Sequence, residues 1–251
     1  MLTKIKEELS DYTVEVFDTI SSTNTYLTRL AKKEKIEKRI AVALEQTGGR
    51  GRMGRTFHSP RGAGLYMSLL YPLSDVSECE GLTVRVGVAL FQVLEKRFPT
   101  LSPTLKWVND IYIGDKKLAG ILVEGVTRVD GKFCAVIGIG MNVLACAFPD
   151  DLRHRVTSIE SETGEQLSPL SFVRELTKEI EEALATPFSS LLALYREHSY
   201  LKGKDLLVLP HSGEAYSAVY VDVDEKGGLL VKKEDGEIVT LSSGDVSVKP
   251  T

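Results

Sequence analysis

Three arginines and four glycines fall within the eight residues from Gly48 to Arg55, in the stretch Gln46-Thr47-Gly48-Gly49-Arg50-Gly51-Arg52-Met53-Gly54-Arg55. Glycine frees the backbone to take positive φ and to approach a ligand closely. Arginine supplies planar, permanently charged forks that match carboxylate and phosphate. The run from Arg39 to Glu45 reads as a buried strand, and Leu65 to Tyr71 reads as the next. Together they predict a cationic loop mounted on a sheet, suited to gripping and enclosing an anion. Gly49, Gly51 and Gly54 formally match the dinucleotide pattern G-x-G-x-x-G, but that pattern must open a helix. Here Pro60, Gly62 and Gly64 follow instead. A phosphate loop of the Walker type fails as well, because Gly54 precedes Arg55 rather than Lys-Ser/Thr. The bland alternative is a solvated basic loop with no ligand.

A second stretch, Leu105 to Glu124, holds two lysines around a tight turn. Gly114-Asp115 separates Ile111–Ile113 from Leu118–Val123, which reads as a hairpin. Lys106 stands in an apolar strand start, and Lys117 begins the return strand. A lysine in such surroundings usually snorkels to solvent, whereas two of them flanking one hairpin suggest a site. Ser22, Thr23 and Asn24 follow the alternating strand Thr13–Phe17 and precede a helical pattern with Tyr26, Leu27, Leu30 and Ala31 inward. These three cap a helix, line a polar pocket, or do both. Phe133 to Ile139 reads as a buried strand ending in Gly138-Ile139-Gly140-Met141-Asn142, where alternating glycines permit close approach.

The remaining elements must position these groups. Glu80 to Phe98 reads as a helix with Leu82, Val86, Ala89, Leu90, Val93, Leu94 and Phe98 on one face. Residues 145–167 look irregular. Ser168-Pro169 starts a helix to about Ala185, and Pro187 starts another through Tyr200. After Gly203 the texture changes to five short β runs, Leu206–Leu209, Ala215–Val223, Leu229–Val231, Ile238–Leu241 and Val246–Val248, as in a small barrel or sandwich. We therefore divide the chain into residues 1–200, a catalytic domain, and 201–251, a small appendage. The 251 residues carry a net charge of −4, so no global basic field recruits nucleic acid. No apolar leader or run of eighteen apolar residues occurs, which points to the cytoplasm rather than a membrane. Cys79, Cys134 and Cys146 are odd in number and never in C-x-x-C spacing, as expected of small hydrophobes in a reducing compartment. His58, His154, His198 and His211 are too scattered for a metal site.

With these motifs in their order, the chain resembles the biotin–protein ligases (biotin–[acetyl-CoA-carboxylase] ligases). The carrying residues are Ser22-Thr23-Asn24, Gln46 with Gly49 to Arg55, Lys106-Trp107-Val108-Asn109-Asp110, Lys117-Leu118-Ala119-Gly120 and Gly138 to Asn142. The resemblance implies an α+β fold. It consists of a mixed sheet flanked by helices, like class II aminoacyl-tRNA synthetases and biotin ligases, with a C-terminal SH3-like β-barrel. It implies activation of biotin by ATP to biotinyl-5′-AMP with release of pyrophosphate, and then transfer to a lysine of a biotin carboxyl carrier domain.

By the same resemblance, Arg52 and Lys117 are catalytic. Ser22, Thr23, Asn24, Gln46, Gly49, Arg50, Gly51, Arg52, Lys117, Gly138 and Gly140 hold biotin. Arg50, Arg52, Phe57, Lys106, Asn109, Lys117 and Asn142 hold ATP, and Mg²⁺ arrives mainly through the ATP phosphates. Two anions must meet, so cations are needed where they do. No enzyme-bound covalent intermediate is required, in keeping with the absence of a nucleophile constellation.

Two residues depart from the family pattern. Val108 stands where proline is usual, and Phe57 stands where many relatives carry an adenine-packing tryptophan. Some relatives carry an N-terminal helix-turn-helix domain of about sixty residues. About twenty residues precede Ser22 here, so the expectation is the ligase alone, without DNA. Lipoate or octanoate transfer and non-catalytic biotin sensing are the competing readings. A homodimer built by extending the sheet and a monomer both remain open.

Overall fold

The alternating segments of the sequence pair into two sheets in the computed structural model, which describes residues 2–35, 38–210, 212–242 and 246–250. The larger contains β1 (Thr13–Phe17), β2 (Arg39–Ala43), β3 (Gly64–Leu73), β4 (Pro103–Lys106), β5 (Asp110–Ile113), β6 (Lys116–Thr127) and β7 (Phe133–Asn142). Its spatial order is β1-β2-β3-β7-β6-β5-β4. Only β1 and β2 run parallel, connected by α2 (Thr23–Ala31), so the sheet is mixed. The other helices are α1 (Leu2–Glu8), α3 (Leu82–Arg97), α4 (Ile159–Thr163), α5 (Val173–Ala185) and α6 (Phe188–Glu197). No helix among the described residues is long and apolar enough to cross a membrane.

The sheet has two unlike faces. Ile40, Val42, Leu65, Met67, Ile137, Ile139 and Met141 belong to one core with α3, α5 and α6. On the opposite side, Leu27 and Ala31 of α2 pack with Ala41, Leu70, Val126, Cys134 and Val136. That second cluster covers only part of its face, and the uncovered part carries the candidate site. The sequence predicts one apolar face for α3, yet Val84, Val88 and Phe91 are buried as well. The helix lies between the sheet and the pair α5 and α6, and such a helix must be apolar nearly all round.

Three further details differ from expectation. Segment 145–167 contains α4, a five-residue helix capped by the Ser158 side chain, which accepts from Ser161 N. So short a helix shows no periodicity among the polar residues around it. The helix expected from Ser168 opens as a 3-10 turn, Pro169–Phe172, before α5 begins. Helix α1 was not anticipated at all. Of the three cysteines Cys134 is buried, and all three are free. His211 and residues 243–245 lie outside the described residues.

The second sheet comprises β8 (Asp205–Pro210), β9 (Tyr216–Val223), β10 (Leu229–Lys233), β11 (Ile238–Leu241) and β12 (Val246–Pro250), ordered β11-β10-β9-β8-β12 and wholly antiparallel. It joins the first sheet at Trp107, which is buried and donates its indole N–H to the Gly227 carbonyl at 2.9 Å. The Trp107–Val108 peptide is cis. Trp107→Phe keeps most of the ring but leaves a buried carbonyl without its donor. It should destabilise the protein by about 1–3 kcal/mol, read as a lower Tm, and an unchanged melting curve would refute the importance of this bond.

Candidate active site

Strand register assembles the floor of the site. Tyr66, Gly140, Gly120, Asp110 and Lys106 are successive partners across β3, β7, β6, β5 and β4. Two residues along lies the row Ser68, Gly138 and Leu122. Because side chains alternate with period two, both rows share one face of the sheet. The three glycines leave this face bare, and other groups descend onto it. A Cβ on Gly138 would lie 2.0 Å from Asn24 Oδ1, and one on Gly140 would lie 2.5 Å from the Phe57 ring. On Gly120 it would meet Lys117 Nζ at 3.0 Å.

One wall is a chain of hydrogen bonds. The Ser22 hydroxyl caps α2 by accepting from Thr25 N. Thr23 donates its backbone N–H to Gln46 Oε1 at 2.9 Å, and Gln46 Nε2 donates to Ser59 Oγ at 3.1 Å. The buried Ser68 hydroxyl lies 2.6 Å from both the Thr23 hydroxyl and Asn24 Oδ1. Asn24 Nδ2 donates to Glu124 at 3.0 Å. Ser22, Thr23 and Asn24 are thus both a helix start and a pocket wall, and the two readings left open by the sequence hold together.

The glycine–arginine loop forms the roof. Phe57 N donates to Gly49 O at 3.0 Å and Gly51 N to Arg55 O at 2.7 Å, which folds the loop into a small hairpin. Met53 (φ 53°) and Gly54 (φ 72°) take left-handed backbone at its tip. Arg50 makes a two-pronged pair with Glu124 of β6, at 2.9 and 3.1 Å. Arg52 reaches to Asn109 Oδ1 at 3.2 Å, in the β4–β5 connection, and Asn109 is held by Ile121 O at 2.9 Å.

Beneath the roof lies a cavity of about 700 Å³. Lys117 Nζ stands 2.7 Å from Asp110 Oδ1 and over the Phe57 ring, 5.9 Å from its centroid. Lys106 Nζ donates to Tyr112 OH at 3.0 Å. Burial pulls Lys106 below the ordinary lysine range, and Lys117, Lys204 and Arg55 push it further down against the attraction of Asp110. Burial lowers Arg52 as well, with Asp110 opposing, although a guanidinium remains charged throughout the working range.

Of the residues proposed from the sequence, Ser22, Thr23, Asn24, Gln46, Arg50, Gly51, Arg52, Phe57, Lys106, Asn109, Lys117, Gly138 and Gly140 line this cavity. Phe57, expected beside the nucleotide, rests on Gly140, which was expected beside the acid, so the two assignments converge on one spot. Gly49 does not line the cavity. A Cβ there would strike Phe57 O at 2.3 Å, so this glycine serves the folding of the loop upon itself. Asn142 is also outside the lining. Its amide donates to Thr157 O at 2.9 Å and fastens the 155–158 segment to the end of β7.

Other lining residues were not foreseen as site groups, among them Arg55, Asp110, Tyr112, Arg155, Val248 and Lys249. Asp110 and Tyr112 alternate along β5, and Ser68 is a lone hydroxyl in an apolar strand; both were available signals. Arg155 is placed by the pairing of its carbonyl with Lys117 N at 2.8 Å, which no local pattern announces.

A bare glycine floor lies beside a cluster of cations and under a loop, with room for a small acid next to a second anion. Comparison with known proteins identifies the family. Residues 16–142 match the model of the biotin/lipoate A/B protein ligase family, and residues 209–249 match the biotin protein ligase C-terminal domain. The chain is 31% identical to the bifunctional ligase/repressor BirA of Bacillus spizizenii, over 92% of this chain and 72% of that one. It is 29% identical to the biotin–[acetyl-CoA-carboxylase] ligase of Mycobacterium tuberculosis, over 93% and 88% respectively. The biotin protein ligase of Aquifex aeolicus, solved in complex with biotin and ATP, superposes with a TM-score of 0.81 at 26% identity, covering 95% of this chain and 99% of that one. The chain belongs to the biotin/lipoate A/B protein ligase family.

Gly138→Ala tests the bare floor. The new methyl must displace Asn24, and overpacking of this kind destabilises by about 1–3 kcal/mol. A variant that melts with the parent would show that the wall yields freely.

Proposed function

We propose that the chain is a biotin–protein ligase in which the cavity holds biotin and ATP end to end. The observation that carries this reading is the meeting of the glycine floor with Arg52, Lys106 and Lys117 in one cavity. In the first half-reaction a biotin carboxylate oxygen attacks the α-phosphorus of ATP, and pyrophosphate leaves with the electrons of the broken P–O bond. Both reactants are anions, so fixed cations at their junction lower the barrier more than the same charges would in water. Lys117 is proposed to touch the carboxylate and the α-phosphate, and Arg52 to cover them from the loop. In the second half-reaction the ε-amine of a carrier lysine attacks the acyl carbon, and AMP departs.

Thr23, Asn24 and Gln46 are proposed to bind the polar head of biotin, with its body on Gly138 and Gly140. Lys106 and Asn109 face the nucleotide. Mg²⁺ enters as part of the nucleotide substrate. Among the described residues no cluster of three metal-binding side chains stands ready to hold an ion alone. The acyl-adenylate hydrolyses in water, so the roof protects it as well as orienting it. The carrier partner is a biotin carboxyl carrier domain presenting an exposed lysine. The three free thiols favour a reducing cytoplasm. A homodimer through the sheet is one option for the assembly.

Pyrophosphate release from ATP with biotin, with lipoate and with no acid tests the reading. Biotin-dependent release, with AMP appearing once a carrier domain is added, is the expected result. Release with lipoate alone would reassign the acid, and binding without release would make the protein a sensor. Lys117→Ala should slow the first half-reaction by about 10²-fold or more, since it also leaves Asp110 unpaired beside the incoming anions. A loss confined to transfer would count against the role given to Lys117.

The depressed value of Lys106 fixes a pH dependence. Its cation is lost as pH rises through a value below the ordinary lysine range, so ATP affinity should fall there. The protonated form correspondingly opposes folding, and that opposition is relieved over the same rise. Lys106→Arg should remove the alkaline fall in ATP affinity measured by calorimetry. Persistence of the fall would place its origin in another group.

A further inference from the structure

Two arginines of the roof reach across to the β4–β6 side of the site, Arg52 to Asn109 and Arg50 to Glu124, and Glu124 is a residue to which the mechanism assigns no part. Glu124 lies on β6, four residues beyond Gly120 and therefore on the same face of the sheet. Its carboxylate receives both prongs of Arg50, at 2.9 and 3.1 Å, and also the Asn24 amide, at 3.0 Å. Asn24 lies 2.6 Å from Ser68, Ser68 lies 2.6 Å from Thr23, Thr23 bonds Gln46, and Gln46 bonds Ser59. Ser59 in turn donates to Phe57 O at 3.0 Å, at the far foot of the loop. A continuous polar circuit thus leaves the loop at Arg50, passes behind the cavity, and returns to the loop at Phe57. Glu124 is the link that joins the loop to the wall.

We infer that Glu124 is a positioning residue that latches the 49–57 loop over the cavity by holding Arg50 and Asn24 at once. Most exposed ion pairs contribute little, because solvent screens them and two side chains must be immobilised. This one differs in two respects. The fork meets the carboxylate with both prongs, and the Glu124 side chain is only 25% exposed and already oriented by Asn24. Loosening it leaves the second tie, Arg52 to Asn109, in place. The expected result is a roof that opens more often rather than one that is lost. The inference rests on the ligase reading for its consequence, escape of the acyl-adenylate, but not for the latch itself.

The experiment has two arms. In the first, the full-length protein without ligand is digested with trypsin, and cleavage after Arg52 and Arg55 is followed by mass spectrometry. Glu124→Ala should raise the cleavage rate about five- to tenfold, with a smaller rise for Glu124→Gln, which keeps an acceptor for Asn24. Arg50→Ala should match Glu124→Ala, and the double variant should be no faster than either single one. In the second arm, the ratio of biotinyl-adenylate released to solvent against biotin delivered to the carrier domain should rise by a similar factor. Cleavage and release at parental levels in Glu124→Ala, or additive effects in the double variant, would overturn the latch. If Glu124→Ala does not fold, Glu124→Gln carries both arms. If the parent protein forms no adenylate, the ligase reading fails while the digestion arm still decides the latch.

Discussion

A floor without side chains is the constraint from which the rest of this structure follows. Gly120, Gly138 and Gly140 lie on the two central strands β6 and β7, and Lys117, Asn24 and Phe57 come down onto them to 3.0, 2.0 and 2.5 Å of where a Cβ would stand. Glycine weakens a strand, since it adds backbone freedom and removes packing. The strands offset that loss elsewhere. Strand β7 is laddered along ten residues on one side and nine on the other, and its opposite face buries Ile137, Ile139 and Met141 in the core that also holds α3. The apolar core on one face of the sheet and the bareness of the floor on the other are two sides of one arrangement.

Charge follows a similar logic. Several cations face one cavity and repel one another while it holds no anion. Lys117 is held by Asp110, Arg50 by Glu124, and Arg52 by the amide of Asn109. These partners fix the cations in position ahead of the substrates, so less reorganisation remains for the reaction itself. Asp110 has a further effect, because its negative charge helps the half-buried Lys106 to keep its proton.

Much of this was legible in the chain. The alternating strands, the five small C-terminal strands and the cationic loop follow from local composition and spacing, whereas the mixed-sheet architecture was implied by the family resemblance. Gly138 and Gly140 announced a close approach, but not what approaches, because Asn24 and Phe57 lie far away in sequence. Asn142 was drawn into the site by its place beside those glycines, whereas its amide direction is set by the 155–158 segment passing the strand end. Arg155, Val248 and Lys249 carry no local signal, since only the folded chain brings their segments to the cavity. Glu124 closes an apolar run and looks like an ordinary strand end until Arg50 is seen to reach it.

Trp107 is the only tryptophan in the chain, and it sits buried at the seam between the two sheets, fastened to Gly227. Its neighbour Lys106 borders the cavity, whereas Trp107 itself does not. The molecule therefore carries a single indole fluorophore at the junction of its parts. A change in its emission when a substrate enters reports movement relayed to that seam, free of signal from any second indole.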